Sequence, residues 1–331
     1  MGNVMSNSDA RKAGSEIALF EVYVASNCAI TRDTFHFVLT ASADVALPSF
    51  TPGSHVTVVT PTGVRRNYSL CGDPADTSRY EIAVKRDGNG RGGSKSMADE
   101  VHPGTLLMIS APRNNFELSP RAKSSLFVAG GIGITPILSM MRHLKGSASD
   151  HPFRLVYCTR DAEHTAFSEA LHAEFPGLIT IHHDQGAVEK AFDFWPQFEK
   201  PTSAHVYCCG PKGLMESVAD MTGHWPSESV HFESFGVDAK AFAENTAFSA
   251  LLKRSGQIIV VSKEQTLLQA LRANGCVVRS SCESGTCGSC KTGLIAGEVE
   301  HRDMVLTEQE RVDHIMPCVS RAKSDGLVLD L

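Results

Sequence analysis

Four cysteines carry the clearest chemistry in this chain. Cys282, Cys287 and Cys290 stand in the spacing C-x4-C-x2-C, and Cys318 follows 28 positions after Cys290. That is the plant-type arrangement of thiolates for a 2Fe–2S cluster. Such a loop must wrap closely round the metal and aim backbone N–H groups at the sulfurs, and Gly285, Gly288 and Ser289 are small enough to permit it. A zinc site built from the same thiolates and a redox-active Cys-x-x-Cys pair are the alternatives. The x4 interval and the glycines favour iron–sulfur. Cys276, just before the loop, has no matching ligand role and is expected to pack.

A second signal lies mid-chain. The apolar run 124–129 leads into Gly130-Gly131-Ile132-Gly133-Ile134-Thr135-Pro136 and then the periodic stretch 137–144. This reads as strand, glycine turn and helix, with Thr135 as N-cap and Pro136 as the first helical residue. Exposed N–H groups and the helix dipole there suit a phosphate. It is not the G-x-G-x-x-G fingerprint, and alone it is weak. Two further apolar strands strengthen it: 154–158 ends in Thr159-Arg160-Asp161, and 204–208 ends in Cys209-Gly210-Pro211. Ligands of open parallel sheets bind beyond such strand ends. Asp161 either accepts hydrogen bonds from a ribose diol or caps a turn, and Arg160 could instead meet a 2′-phosphate. Cys208-Cys209 reads most simply as a buried strand-end pair.

Before residue 119 the hydrophobic pattern changes to period two, as in 80–85, with β-rich stretches at 36–40 and 54–60. A small antiparallel barrel fits that pattern better than a parallel sheet. It carries Arg66-Asn67-Tyr68-Ser69 on one strand and Gly90-Arg91-Gly92-Gly93-Ser94 at a turn, the second a plausible phosphate cradle. Either segment alone would more often be a surface turn.

The whole chain must position these groups. Its 331 residues imply two or three domains at roughly 150 residues each. With 42% hydrophobic and 21% charged residues it is neither disordered nor fibrous, and a net charge of -6 leaves no basic footprint for nucleic acid. No apolar run approaches the ~20 residues of a membrane span, and the polar start predicts no signal peptide. A cytoplasmic location is expected, where disulfides are rare, so ten cysteines point to metal or redox chemistry. Toward the C-terminus, 258–261 reads as a strand. Ser262 with Gln265 reads as a capping box before a helix over 266–274, which Gly275 ends.

Taken together, the R-x-Y-S barrel, the G-G-x-G-x-T-P turn, Cys209-Gly210-Pro211 and Glu233-Ser234-Phe235 resemble the ferredoxin–NADP reductase superfamily. The order barrel, nucleotide domain, C-terminal ferredoxin resembles the phthalate dioxygenase reductase family, which includes vanillate demethylase reductases. The resemblance spans residues 16–331. It implies a multidomain protein: a flexible tail over 1–15, an antiparallel β-barrel flavin domain over 16–118 and an α/β nucleotide-binding domain over 119–235. A linker over 236–246 and a β-grasp 2Fe–2S ferredoxin domain over 247–331 complete it.

The resemblance also implies roles. The flavin is FMN, with its phosphate held by Arg66, Arg91 and Gly92-Gly93-Ser94. Tyr68 and Ser69 line its ring, and Ala83 and Lys85 belong to the same site. Asn67 stands where the family pattern has threonine. Ser69, Cys209, Glu233 and Phe235 are the expected catalytic residues, with Phe235 covering the flavin face. Gly130, Gly131, Gly133, Thr135 and Pro136 form the pyrophosphate turn. Thr159 and Asp161 contact the nucleotide, and Cys209, Gly210 and Pro211 lie on its nicotinamide side. The implied activity is that of a monomeric NADH-dependent oxidoreductase feeding electrons to a Rieske-type oxygenase component in the breakdown of an aromatic or similar small compound. A haem monooxygenase as acceptor, and a non-catalytic redox sensor, are the alternatives.

Three features are set aside. Residues 1–6 fit a myristoylation template by chance. His182-His183 is expected in a solvated loop, and 192–198, with Trp195, in an apolar loop packed on the nucleotide domain.

Overall fold

The computed structural model describes residues 18–41, 46–88, 92–147, 150–235, 245–280, 283, 285, 286, 288–324 and 326–331. The expected N-terminal tail lies outside them, as do Gly90, Arg91, Cys282, Cys287 and all of the expected linker up to residue 244.

The first unit is the barrel. Its strands are β1 (Leu19–Ala29), β2 (Thr34–Ala41), β3 (Ser54–Val59), β4 (Arg65–Ser69), β5 (Arg79–Lys85), β6 (Leu106–Ser110) and the short β7 (Arg113–Asn114), with helix α1 (Gly93–Glu100) before β6. They run antiparallel in the order β4-β3-β6-β1-β2-β5, and β7 adds to β3. The Leu70–Ile82 bridge joins the two ends and closes the barrel. Alternation drives the fold: Val22, Val24, Phe37, Leu39, Val56, Val58, Ile82 and Val84 fill the interior, each contributing roughly 1.5–3 kcal/mol by leaving water.

The second unit is a five-stranded parallel sheet of β8 (Ser124–Gly130), β9 (Phe153–Thr159), β10 (Ile179–His183), β11 (Ala204–Cys209) and β12 (Val230–Glu233). The order β10-β9-β8-β11-β12 puts a topological switch at β8. Helices α2 (Ile134–Gly146), α3 (Ser168–Glu174), α4 (Trp195–Phe198) and α5 (Lys212–Met221) accompany it. Three expectations change here. A tight turn over Gly131–Gly133 starts α2 earlier, so Gly133 is the N-cap. Thr135 lies inside the helix, where its hydroxyl donates to Ile132 O at 3.0 Å. His182 and His183 end strand β10 and are not in a loop; His183 Nδ1 pairs with Thr159 Oγ1 and His182 Nε2 with Lys190 O. The 192–198 stretch contains α4, with Phe194 and Phe198 buried and Trp195 exposed.

The third unit holds β13 (Phe248–Leu252), β14 (Ile258–Val261), helix α6 (Leu267–Ala273), β15 (Thr292–Ala296), β16 (Val299–Glu300), β17 (His314–Ile315), β18 (Arg321–Ala322) and β19 (Gly326–Leu329). Its main sheet, β14-β13-β19-β15-β17, is mixed, with β13 parallel to β19. The capping box sits one turn later than the spacing implied. Thr266 and Gln269 cap each other reciprocally, whereas Ser262 and Gln265 form a turn whose carbonyls take the buried Arg321 guanidinium. Asn245, expected in the linker, is buried and tied to this unit: it donates to Lys263 O and accepts from Arg302. Among the described residues no helix is long and apolar enough to cross a membrane.

Candidate functional site

Strand β4 builds one wall of the site. Alternation puts Arg66 and Tyr68 on one face of it and Asn67 and Ser69 on the other. Asn67 is engaged within the barrel, accepting from Thr57 Oγ1 at 2.8 Å. The Arg66 side chain lies over Gly93, where an added Cβ would come within 3.2 Å of Arg66 Nε. Gly92 is the left-handed N-cap of α1 (φ 86°), so the guanidinium stands beside a helix N-terminus. Two positive features therefore converge where a phosphate would sit. Ser94 Oγ accepts from Asp87 N–H and ties this turn to the end of β5. Arg91, expected to help, lies outside the described residues.

Tyr68 supplies an independent indication that a ligand belongs here. Its hydroxyl is buried and makes no hydrogen bond among the described residues, and burial pushes the phenol up to about 12. An orphaned buried hydroxyl beside a phosphate cradle fits a flavin that would provide its partner. Ala83 is buried in β5, and the Lys85 ammonium is turned toward Asp33 at 3.6 Å.

The nucleotide sheet supplies the facing wall. Ser69 is buried, and its hydroxyl donates to Glu233 Oε2 at 3.4 Å. Glu233 ends β12 directly opposite Cys209, which ends β11. Burial, reinforced by the Glu233 charge, pushes the Cys209 thiol far up, so it stays neutral. Ser69, Cys209 and Glu233 thus meet where the barrel touches the C-terminal edge of the parallel sheet. Phe235, two residues beyond Glu233, is 43% exposed.

The glycine turn is shaped first by packing. A Cβ on Gly133 would strike the Cys209 carbonyl, so this glycine lets the β8 and β11 turns abut. The Gly210 backbone packs on Gly130, and Pro211 is the N-cap of α5. Gly131, at φ 52°, faces open space, and its carbonyl accepts from Tyr157 Oη. Pro136 is buried in the first turn of α2. The Thr159 hydroxyl is turned inward to Thr165 and His183. Asp161 caps a short turn, its Oδ1 accepting from His164 N and pairing with His164 Nδ1 at 2.7 Å. That bond holds its carboxyl below the ordinary range, and the side chain remains 44% exposed.

In the third unit, Cys290 and Cys318 are buried in one apolar cluster with Leu268, Leu306, Met316 and Val319. Gly285 has φ 80°, and a Cβ there would meet Val319 and Asp303. The described half of the ligand set and its cradle fit a 2Fe–2S cluster; Cys282 and Cys287 lie outside the described residues. Cys276 packs against the ferredoxin core as expected.

The sequence reading missed one junction. Arg142 of α2 reaches into the barrel, bonding Cys71 O at 2.9 Å, Glu81 at 3.4 Å and Glu174 at 2.7 Å. His36 Nε2 lies 3.2 Å from Glu81. The His36 imidazole nearby and the Arg142 charge overcome burial and hold Glu81 at about 2. His36, Cys71 and Glu81 converge as metal ligands would. The guanidinium already neutralises the carboxylate, so the cluster is an interdomain ion pair.

Comparisons agree with this division. Family models for an oxidoreductase FAD-binding domain, an oxidoreductase NAD-binding domain and a 2Fe-2S iron-sulfur cluster binding domain match residues 21–118, 127–175 and 251–323. The chain is 58% identical over 310 residues to the phthalate 4,5-dioxygenase oxygenase reductase subunit of Pseudomonas putida, covering 93% of this chain and 95% of that protein. A solved phthalate dioxygenase reductase, described as a modular structure for electron transfer from pyridine nucleotides to [2Fe-2S], matches with TM-score 0.74 and 52% identity over 95% of this chain and 98% of that one. An intact self-sufficient cytochrome P450 monooxygenase matches at TM-score 0.70 and 36% identity, over 95% of this chain and 41% of its own. With the barrel, the parallel sheet and the cysteine-bearing unit in this order, the chain belongs to the phthalate dioxygenase reductase family.

Proposed function

We propose that this chain is the reductase component of a Rieske-type oxygenase system. It takes electrons from NADH and delivers them through FMN and a 2Fe–2S cluster to the oxygenase. The observation that carries the reading is the Ser69–Glu233 contact, which brings the flavin strand against the C-terminal edge of the nucleotide sheet.

A flavin held there would supply the conversion between the two-electron chemistry of NADH and the one-electron chemistry of a 2Fe–2S cluster. The chain's own groups bind and orient. Arg66 and the start of α1 hold the flavin phosphate, and Tyr68 fixes the ring through its orphaned hydroxyl. Ser69 and Glu233 align the nicotinamide ring against the flavin. The neutral Cys209 stands beside Glu233 at the end of the sheet, and Phe235 would cover the flavin face that nicotinamide must reach. The turn after β8 takes the pyrophosphate and Asp161 the ribose. The four cysteines hold the cluster.

The acceptor is a separate oxygenase acting on an aromatic or similar small substrate in the cytoplasm, and the reductase is a monomer. A haem monooxygenase acceptor is less favoured, since the P450 resemblance is 36% identical against 58% for an oxygenase reductase. The intact Arg66–Tyr68–α1 cradle argues against a flavin-free redox sensor.

The test is to purify the protein as isolated, identify the acid-released flavin by mass and measure iron and sulfide. NADH-driven turnover of an oxygenase from the same source is then assayed. One FMN and two irons per chain, with oxygenase turnover, are expected. A chain that binds FAD, or lacks iron, contradicts the cofactor assignment.

A further inference from the structure

Among the described residues Asp303 is the most deeply buried carboxylate in the ferredoxin unit, with a side chain of 0% exposure, and the iron ligation does not use it. Its Oδ2 accepts from Leu306 N at 2.9 Å and Val305 N at 3.3 Å. Its Oδ1 accepts from Ser320 Oγ at 3.2 Å and stands 3.6 Å from His301 Nδ1. Burying such a group is unfavourable unless its lone pairs are filled, and here they are filled from two directions. Val305 and Leu306 belong to the strap after β16. Ser320 stands two residues past Cys318.

The same residue also meets the cluster loop. Gly285 packs on the Asp303 backbone, a Cβ at that glycine coming within 3.2 Å of Asp303 Cα. Met304 N donates to Gly285 O at 3.0 Å. Leu306, whose N–H the carboxylate holds, lies in the apolar cluster with Cys290 and Cys318. Asp303 thus ties Gly285, between the cysteines of the motif, to the separate segment that supplies Cys318.

We propose that Asp303 is a positioning residue for the cluster. It fixes the two halves of the ligand set against each other and sets a fixed acceptor and negative charge behind the loop, which holds the cluster potential down. Hydrogen bonding and nearby charge around the sulfurs are established levers on such potentials. The inference rests on the assignment of a 2Fe–2S cluster to the four cysteines.

The experiment compares the intact holoprotein with Asp303→Asn and Asp303→Ala by potentiometric titration, electron paramagnetic resonance of the reduced cluster, and iron content. Asparagine can keep the bond to Leu306 N and turn its amide to Ser320 Oγ, so Asp303→Asn should retain its iron. Its cluster potential should be less negative and its resonance line shape changed. Asp303→Ala should lose iron or lose it faster to chelator. Asp303→Asn with full iron and an unchanged potential and line shape overturns the proposal. So does Asp303→Ala with unaltered iron retention. Absence of any cluster signal in the unmodified protein would instead overturn the cluster assignment itself, and the two failures are therefore distinguishable.

Discussion

Ser69 and Glu233 are 164 residues apart, yet the serine hydroxyl donates to the glutamate carboxylate at 3.4 Å, across the seam between the barrel and the nucleotide sheet. Ser69→Ala should leave flavin content unchanged, because Arg66 and α1 still hold the phosphate. Hydride transfer depends on alignment, and a small misplacement costs about 10²-fold. The rate of flavin bleaching by NADH in stopped-flow should fall by about that factor. A wild-type rate in Ser69→Ala would separate this contact from catalysis.

Asp161 is half-exposed at the end of β9 and should disfavour a 2′-phosphate. A carboxylate there repels a 2′-phosphate, which carries nearly two negative charges. NADH is therefore preferred, and Asp161→Asn should narrow the preference by roughly tenfold. The measurement is kcat/KM for both nucleotides. Equal values in the unmodified protein would remove this role.

Acid should destabilise the protein in two windows. Burial, with the neighbouring His205, lowers His231 to about 4. Below its ordinary value of 6.5 the unfolded chain binds a proton that the folded one refuses, so stability falls between pH 6.5 and 4. Glu81 is lowered to about 2 from 4.5. Its contribution is present above pH 4.5 and is lost as pH falls from there toward 2. Thermal unfolding across pH should show both declines, each of a few degrees. His231→Gln should flatten the first window and leave the second.

The ferredoxin unit should be separable in function. A chain ending after Phe235 keeps both walls of the flavin–nicotinamide site and should still oxidise NADH with a soluble two-electron acceptor, but not support the oxygenase. Cys290→Ser or Cys318→Ser should give the same split, with some loss of stability from an incomplete cluster site. Oxygenase turnover by the shortened chain near the full rate would mean that the flavin bypasses the cluster.

The ferredoxin unit carries ten Lys+Arg and ten Asp+Glu over residues 247–331, so bulk charge does not depress its potential. The cluster should sit above the roughly −400 mV of plant-type ferredoxins, as read by redox titration. A value at or below that figure counts against the charge argument.

What the sequence disclosed was local. The cysteine spacing, the β4 motif and the strand-turn-helix around Gly130 are short patterns whose geometry is set within a few residues. The Thr135 cap failed because an extra tight turn over Gly131–Gly133 begins the helix early. The capping box slipped because Ser262-x-x-Gln265 and Thr266-x-x-Gln269 fit the same template, and only the distant Arg321 decides between them. Contacts of high separation left no local trace: Arg142 with Glu81 and Asp303 with Ser320 pair residues whose neighbourhood in sequence says nothing of each other, and Ser69 and Glu233 came into one site only through the family resemblance.

The order of electron flow is the central claim, and rapid mixing of the intact protein with NADH in the absence of air tests it most directly. The flavin band should bleach first, and the cluster band should follow at a rate no slower than oxygenase turnover. Cluster reduction slower than turnover, with the oxygenase nonetheless running at its full rate, would contradict the path from NADH through flavin and cluster.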